Sequence, residues 1–185
     1  MSPPDPSAPP DAQATPRFQR ALDALAGLPV TCVCHCANLV MFDFGRDNKI
    51  VTRSGWEYFS DYALHVQCGW QLSRGDRVVA GAYDLLYDAS GKLIPEGEDP
   101  ESRLLTHRIR EFNQAQLGRV FVVDARLSPG GQLRVRLTSG YELLVIPMTS
   151  TEDPEEEFWR LMEKAGARVH FVATPRGIMP HEETP

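Results

Sequence analysis

The stretch from Tyr62 to Leu72 constrains the fold of this chain more than any other. Tyr62, Leu64, Val66, Cys68, Trp70 and Leu72 alternate with Ala63, His65, Gln67, Gly69 and Gln71. A period of two places the first set on one side of an extended backbone and the second on the other. One side is apolar and the other largely polar, as a half-buried antiparallel strand requires. A helix cannot satisfy that pattern, so the domain is built around a sheet.

Further strands follow from the same logic. Val30 to Phe44 reads as one long strand, with room for a bulge, and Arg77 to Tyr87 reads as another, entered through the turn Ser73-Arg74-Gly75-Asp76. Val120–Leu127, Leu133–Thr138 and Tyr141–Pro147 form a meander, with Pro129-Gly130-Gly131 and Ser139-Gly140 as tight turns. Phe158 to Glu163 turning into Val169 to Ala173 reads as a strand pair, although Glu155 to Lys164 also has the composition of a helix. Two helices are expected. A short one spans Pro16 to Ala26, with Phe18, Leu22 and Leu25 on one face and Gly27 at its end. A long one starts at Pro100 behind the cap Asp99, carries the stripe Leu105, Ile109 and Phe112, and stops before Gly118. The expected fold is α+β, a largely antiparallel, strongly curved or barrel-like sheet with one long helix and a short N-terminal helix.

A chain of 185 residues that is 42% hydrophobic and 24% charged fits one globular domain with tails. Residues 1–15, rich in Pro, Ala and Asp, read as a disordered tail, 16–176 as the domain and 177–185 as a second tail. No basic residue flanks the N-terminal prolines, which weakens a proline-rich ligand reading. The net charge of -6 argues against a nucleic-acid surface. No apolar run reaches the roughly 18–20 residues that span a bilayer. The start of the chain lacks a charged region followed by an apolar one, which points to a cytoplasmic, reducing setting.

Cys32-Val33-Cys34-His35-Cys36 is the densest group of chemically capable side chains. On an extended strand the three thiols point one way and His35 the other. Same-face residues stand about 6.5–7 Å apart along a strand. Such a C-x-C-x-C run converges poorly on a tetrahedral zinc ion, and the paired spacing of zinc sites is absent. The thiols therefore read as small hydrophobes packing one face of a buried strand. Metal or redox use, with Cys68 adding from a neighbouring strand, is the alternative.

His65 sits on the polar side of the Tyr62–Leu72 alternation beside Gln67 and Gln71. A histidine flanked by amides on a sheet face suits ligand binding or proton movement near neutral pH, and equally a structural hydrogen bond. Asp43, Asp61 and Asp84 lie near the same strands and are read first as strand-end or turn residues. Trp56 and Tyr58, in the segment Arg53 to Ser60, form an aromatic loop suited to recognition, to covering the sheet, or to a short strand. There is no G-x-S-x-G elbow, no phosphate-cradling loop and no H-E-x-x-H. The sequence thus assigns His65, Gln67, Trp56 and Tyr58 to binding and assigns no catalytic residue, metal ligand or cofactor.

Three segments carry a resemblance. Phe42-Asp43-Phe44-Gly45, Tyr62 to Trp70 (YALHVQCGW), and Phe158 to Met162 (FWRLM) with His170-Phe171-Val172 resemble a set of small bacterial proteins of unknown function. The resemblance runs from about Leu28 to Ala173 and implies the same order of elements, with no activity attached. The cysteine run departs from that pattern.

The reading that follows is a non-catalytic binding or accessory protein, of the immunity-type interaction kind, whose partner is another protein and whose ligand and oligomeric state are open. A cysteine-based metal or redox protein and a small enzyme using His65 as acid or base are the alternatives.

Overall fold

The computed structural model describes residues 14–46, 48–52, 55–95, 102–150, 153, 156–164 and 169–182. Helix α1 is Ala14–Asp23. Strands β1 Val30–Cys36, β2 Leu39–Phe44, β3 Asn48–Thr52, β4 Gly55–Phe59, β5 Tyr62–Val66, β6 Gly69–Arg74 and β7 Arg77–Gly81 follow. A 3-10 turn, Ala82–Leu86, leads towards α2, Leu104–Gln116. Strands β8 Val122–Leu127, β9 Leu133–Leu137, β10 Tyr141–Ile146, β11 Trp159–Glu163, β12 Val169–Thr174 and β13 Gly177–Glu182 complete the described residues.

The strands form a six-stranded sheet, β1-β2-β5-β11-β12-β13, a five-stranded sheet, β7-β6-β10-β9-β8, and the hairpin β3-β4. Every pairing is antiparallel. The α+β class and the antiparallel sheet are as expected. The described strands do not close into a barrel. Instead, the edges of the two sheets meet along one seam. There Val30 N–H donates to Val120 O at 2.9 Å, Val122 N–H to Leu28 O at 2.8 Å and Gly27 N–H to Val122 O at 2.8 Å.

Both sheets turn their apolar sides to one core. Phe42 of the larger sheet meets Trp70 of the smaller edge-on, with ring centroids 5.8 Å apart. Trp159 is fully buried, and its indole N–H donates to Gly131 O in the β8–β9 turn at 2.8 Å. The helices fill the same interior. Phe18 of α1 packs on Trp159 and Phe171, and Phe112 of α2 meets Tyr141 edge-on. The stripe Leu105, Ile109 and Phe112 is buried as the spacing predicts. The described part of α2 begins at Leu104; Asp99 and Pro100 lie outside the described residues.

The Tyr62–Leu72 alternation is kept, but the chain changes sheets in its middle. Leu64 and Val66 face the core from β5, and Trp70 and Leu72 face it from β6. At the corner, Phe158 O accepts from both Gln67 N–H (2.9 Å) and Cys68 N–H (3.2 Å). Such a corner lets one strand serve two packed sheets without exposing its apolar side.

Four expectations need correction. The segment 30–44 is a hairpin, β1 and β2, whose two-residue turn is Ala37-Asn38; Ala37 has φ +51°. The strand from Arg77 ends at Gly81, where Asp84 carboxylate accepts from Gly81 N–H at 3.0 Å and starts the 3-10 turn. The segment around Trp56 and Tyr58 is β4, paired with β3, rather than a loop. Residues 177–182 are β13, in register with β12, rather than a tail. Of the two readings of 155–164, the strand prevails: β11 lies between β5 and β12.

Gly45 accounts for the end of the Phe-Asp-Phe-Gly motif. Its φ is +99°, and the Asp61 side chain occupies the space a Cβ would need. Asp61 accepts from Arg46 N–H and Asn48 Nδ2, both at 2.8 Å, and these bonds hold its carboxyl below the usual carboxylate range. No helix among the described residues is long and apolar enough to cross a membrane.

Candidate binding face of the six-stranded sheet

Antiparallel register decides which side chains stand side by side. On the six-stranded sheet, Val33, Val40, Phe42, Leu64, Leu161 and Phe171 are buried inwards. The positions between them form two full rows on the outer face. One runs Cys34–Met41–His65–Arg160–Val172–Met179, with one residue from each strand. The adjacent row runs Cys32–Asp43–Ala63–Met162–His170–His181. These twelve positions hold three of the chain's five histidines, three of its five methionines and two of its four cysteines. Both described helices pack on the other side, through Phe18 on Trp159 and Phe171 and through Asn113 Nδ2 donating to Val33 O at 2.7 Å.

His65 stands at the centre of the first row, between Met41 and Arg160. Partial burial holds its pKa below the usual histidine value, with Lys164 and Arg160 adding to that and Asp43 and Glu157 opposing it. The ring is therefore biased to the neutral form. Arg160 is held by Glu157 in a fork, Nε to Oε1 at 3.0 Å and Nη2 to Oε2 at 2.5 Å. Its third nitrogen, Nη1, lies 3.3 Å from His170 Nδ1. A guanidinium only donates, so Nδ1 is the acceptor there and the proton of a neutral His170 sits on Nε2. His170 in turn faces His181 across β12 and β13, with ring centroids 6.4 Å apart. Lys164 Nζ lies 3.7 Å from Asp43 Oδ1. The charges on this face thus close into two pairs, leaving it neutral and polarisable.

The cysteines share a face, as the spacing predicts, but that face is not the core. Cys32, Cys34 and Cys36 lie on the outer side of an edge strand, half-buried to exposed, and Val33 and His35 take the inner side. His35 Nε2 is 2.9 Å from Thr106 Oγ1 of α2. Burial, followed by the neighbouring Cys32 and then Asp43, pushes the Cys34 thiol up to about 11. Cys68 sits at the inter-sheet corner, where burial pushes its thiol up to about 12. Neither is a thiolate near neutral pH, which removes the usual basis for a nucleophilic cysteine. Among the described residues no three His, Cys, Asp or Glu side chains are arranged to hold a metal ion.

Of the residues expected to bind, the structure places His65 in this face and leaves Gln67 exposed at its edge, on the corner. The backbones of Trp56 and Tyr58 pair in the β3–β4 hairpin with Val51 and Lys49; their side chains lie outside the described ones. Gln71 belongs to the other sheet, opposite Leu144. Asp43 shares the face with His65, whereas Asp61 and Asp84 serve turns. Met41, Arg160, His170 and Met179 escaped the sequence reading, because only the pairing of distant strands brings them beside His65. A cleft of about 620 Å³ is elsewhere. It lies between the β8–β9 and β12–β13 turns and is lined by Gly131, Phe158 and Arg176 among others.

Comparison with protein-family models, with curated proteins and with solved structures gives no match.

Proposed function

We propose that this chain is a non-catalytic binding protein of the immunity-type, accessory kind, and that it recognises another protein through the outer face of the six-stranded sheet. The observation that carries this reading is the pair of cross-strand rows around His65. They concentrate methionine, histidine and cysteine side chains on one face, where the His65 row is half-buried to exposed while Ala63, Met162 and His170 of the adjacent row are buried. Methionine is flexible and polarisable, and it is over-used on surfaces that adapt to a partner. Histidine and arginine at the centre supply directional contacts on a neutral ground. The net charge of -6 favours a basic partner by steering its approach, not by contact energy. The kinship with small bacterial proteins, the cytoplasmic setting and the absence of nucleic-acid binding belong to the same reading.

An acid–base role for His65 is less well supported. Its described row neighbours are a thioether and an arginine already engaged by Glu157, and neither is a nucleophile.

The test uses matched substitutions on the two sheets. A partner captured by the full chain should be lost when Val172→Glu places a charge in the His65 row. It should be retained when Leu144→Glu does the same on the outer face of the five-stranded sheet. Equal loss from both, or retention by Val172→Glu, removes this face as the recognition surface.

A further inference from the structure

The cleft of about 620 Å³ has no part in the protein-binding reading. None of its described lining residues belongs to the two outward rows around His65, so neither reading depends on the other. Its volume falls in the range of small-molecule sites, about 300–1,000 Å³. Three connections shape it: the β8–β9 turn, the β12–β13 turn, and the segment Pro147 to Ser150 after β10. Its depth is apolar. Phe158 is buried there, and Leu127 and Ile178 are partly buried against the core. Its rim is polar, with Thr149, Ser150 and Arg176 exposed.

Both turns are fixed from within. Ser128 N–H donates to Gln132 O at 2.8 Å, and the Trp159 indole N–H holds Gly131 O at 2.8 Å. In the β12–β13 turn, Thr174 Oγ1 accepts from Arg176 N–H at 3.2 Å and donates to Gly177 O at 3.3 Å. The cleft is thus shaped before a ligand arrives, which lowers the ordering cost of binding. The same bonds anchor the backbone of Arg176 and leave its guanidinium unengaged by any described residue. Arg126, Arg134 and Arg136 each stand beside a carboxylate. Arg176 does not, and no Asp or Glu is among the described residues that line the cleft. A guanidinium presents paired, planar donors that match a carboxylate.

We propose that this cleft binds a small amphipathic organic anion, an aryl or alkyl carboxylate, with its charged end on Arg176 and its apolar end against Phe158, Leu127 and Ile178. An inorganic anion would gain nothing from the apolar depth. A neutral molecule of the same shape would gain the depth alone. The net charge of -6 does not steer an anion to the chain, so affinity rests on these local contacts.

The test follows the backbone amides of the full chain by NMR during titration with phenylbutyrate, with octanoate, and with the uncharged phenylbutanol. The two carboxylates should shift the amides of Gly130, Gly131, Arg176 and Gly177 saturably, as one site per chain. Phenylbutanol should bind the same place about tenfold or more weakly, because it lacks the charge-assisted hydrogen bonds. Arg176→Gln should bring phenylbutyrate down to the affinity of the alcohol and leave the alcohol unchanged. Its side chain bonds to no described residue, so the variant should keep the wild-type spectrum away from the turn. Arg134→Gln removes the same charge from the outer face of the five-stranded sheet and should change neither affinity. The site is overturned if neither carboxylate gives saturable shifts at these amides, or if phenylbutyrate and phenylbutanol bind alike. It is equally overturned if Arg176→Gln loses no more than Arg134→Gln, or if the shifts fall on the His65 row instead.

Discussion

On the six-stranded sheet the outward rows read Cys34–Met41–His65–Arg160–Val172–Met179 and Cys32–Asp43–Ala63–Met162–His170–His181. On the five-stranded sheet they read Gly81–Gln71–Leu144–Arg134–Arg126 and Val78–Ser73–Glu142–Arg136–Asp124. The second set holds no histidine, methionine or cysteine. It is a ladder of exposed charge, with Arg136 paired to Asp124, Arg126 3.7 Å from Asp124 and Arg134 3.8 Å from Glu142. Exposed pairs of this kind contribute little to stability and chiefly keep a face wet. The two faces enclose the same core, so folding does not explain why one is soft and the other charged. That difference is what points to recognition on the larger sheet.

The strongest way to break the comparison is to show that the two sheets are not one folding unit. Trp159 joins them: it is buried in the larger sheet and its indole N–H reaches the β8–β9 turn of the smaller. Trp159→Ala should cost about 3–5 kcal/mol by loss of burial and cavity formation. Chemical denaturation should still show a single transition at a lower midpoint. Two separated transitions in the wild type would mean the sheets fold apart.

A smaller effect sharpens the contrast between the faces. Arg160 and Glu157 are each largely shielded, with side-chain exposures of 30% and 18%, whereas Arg134 and Glu142 are 51% and 32% exposed. Arg160→Met should cost about 1–3 kcal/mol, because it leaves the Glu157 carboxylate and His170 Nδ1 without their donor. Arg134→Met should cost less than about 1 kcal/mol. Equal costs by denaturant titration would erase the distinction between a built face and a solvated one.

Acid should act through the larger sheet. The folded state holds the His65 pKa below its ordinary value of 6.5, so the unfolded chain binds the proton more readily. The stability this contributes is complete above that value and is lost as pH falls from it through the folded pKa. Melting followed from pH 7.5 downwards should show a decline beginning near the ordinary histidine value, and His65→Gln should flatten it. Asp61, whose pKa is also depressed, adds a second decline at lower pH that Asp61→Asn should remove. A profile in which His65→Gln changes nothing would place the histidine outside the folding balance.

The smallest effect concerns the hairpin that presents the cysteines. Ala37 occupies the left-handed region at φ +51°, which costs a side-chain-bearing residue about 1–2 kcal/mol. Ala37→Gly should recover about 1 kcal/mol at most, offset in part by glycine's greater freedom in the unfolded chain. A destabilised variant would show that the turn is not strained.

That same turn shows where sequence reading stops. Two-residue hairpins are usually signalled by Asn-Gly or Asp-Gly. Ala37-Asn38 carries no such mark, so the two strands look like one. Residues 177–182 were hidden for a related reason. Pro180 breaks the strand pattern, yet proline is tolerated on an outermost strand, which has a hydrogen-bonded neighbour on one side only. By contrast, the alternation Tyr62–Leu72, the stripe of α2 and the common direction of Cys32, Cys34 and Cys36 were legible, because each depends on local periodicity alone. Whether the thiols face the core or solvent was not, since that depends on which side of β1 the second sheet packs. The setting of His65 was half legible. Its polar side was apparent, but Met41, Arg160 and His170 reach it only through pairing between segments far apart in the chain.

The central claim is that the outer face of the six-stranded sheet is reachable along the cysteine edge and the His65 row, and that the core lies behind it. Native-state thiol alkylation, mapped by mass spectrometry at pH 8.5, tests it most directly. The account predicts that Cys36 reacts first, that Cys32 and Cys34 follow more slowly without denaturant, and that Cys68 reacts only on unfolding. If Cys32, Cys34 and Cys36 all stay silent until the chain unfolds, the face is covered, and recognition through it is contradicted.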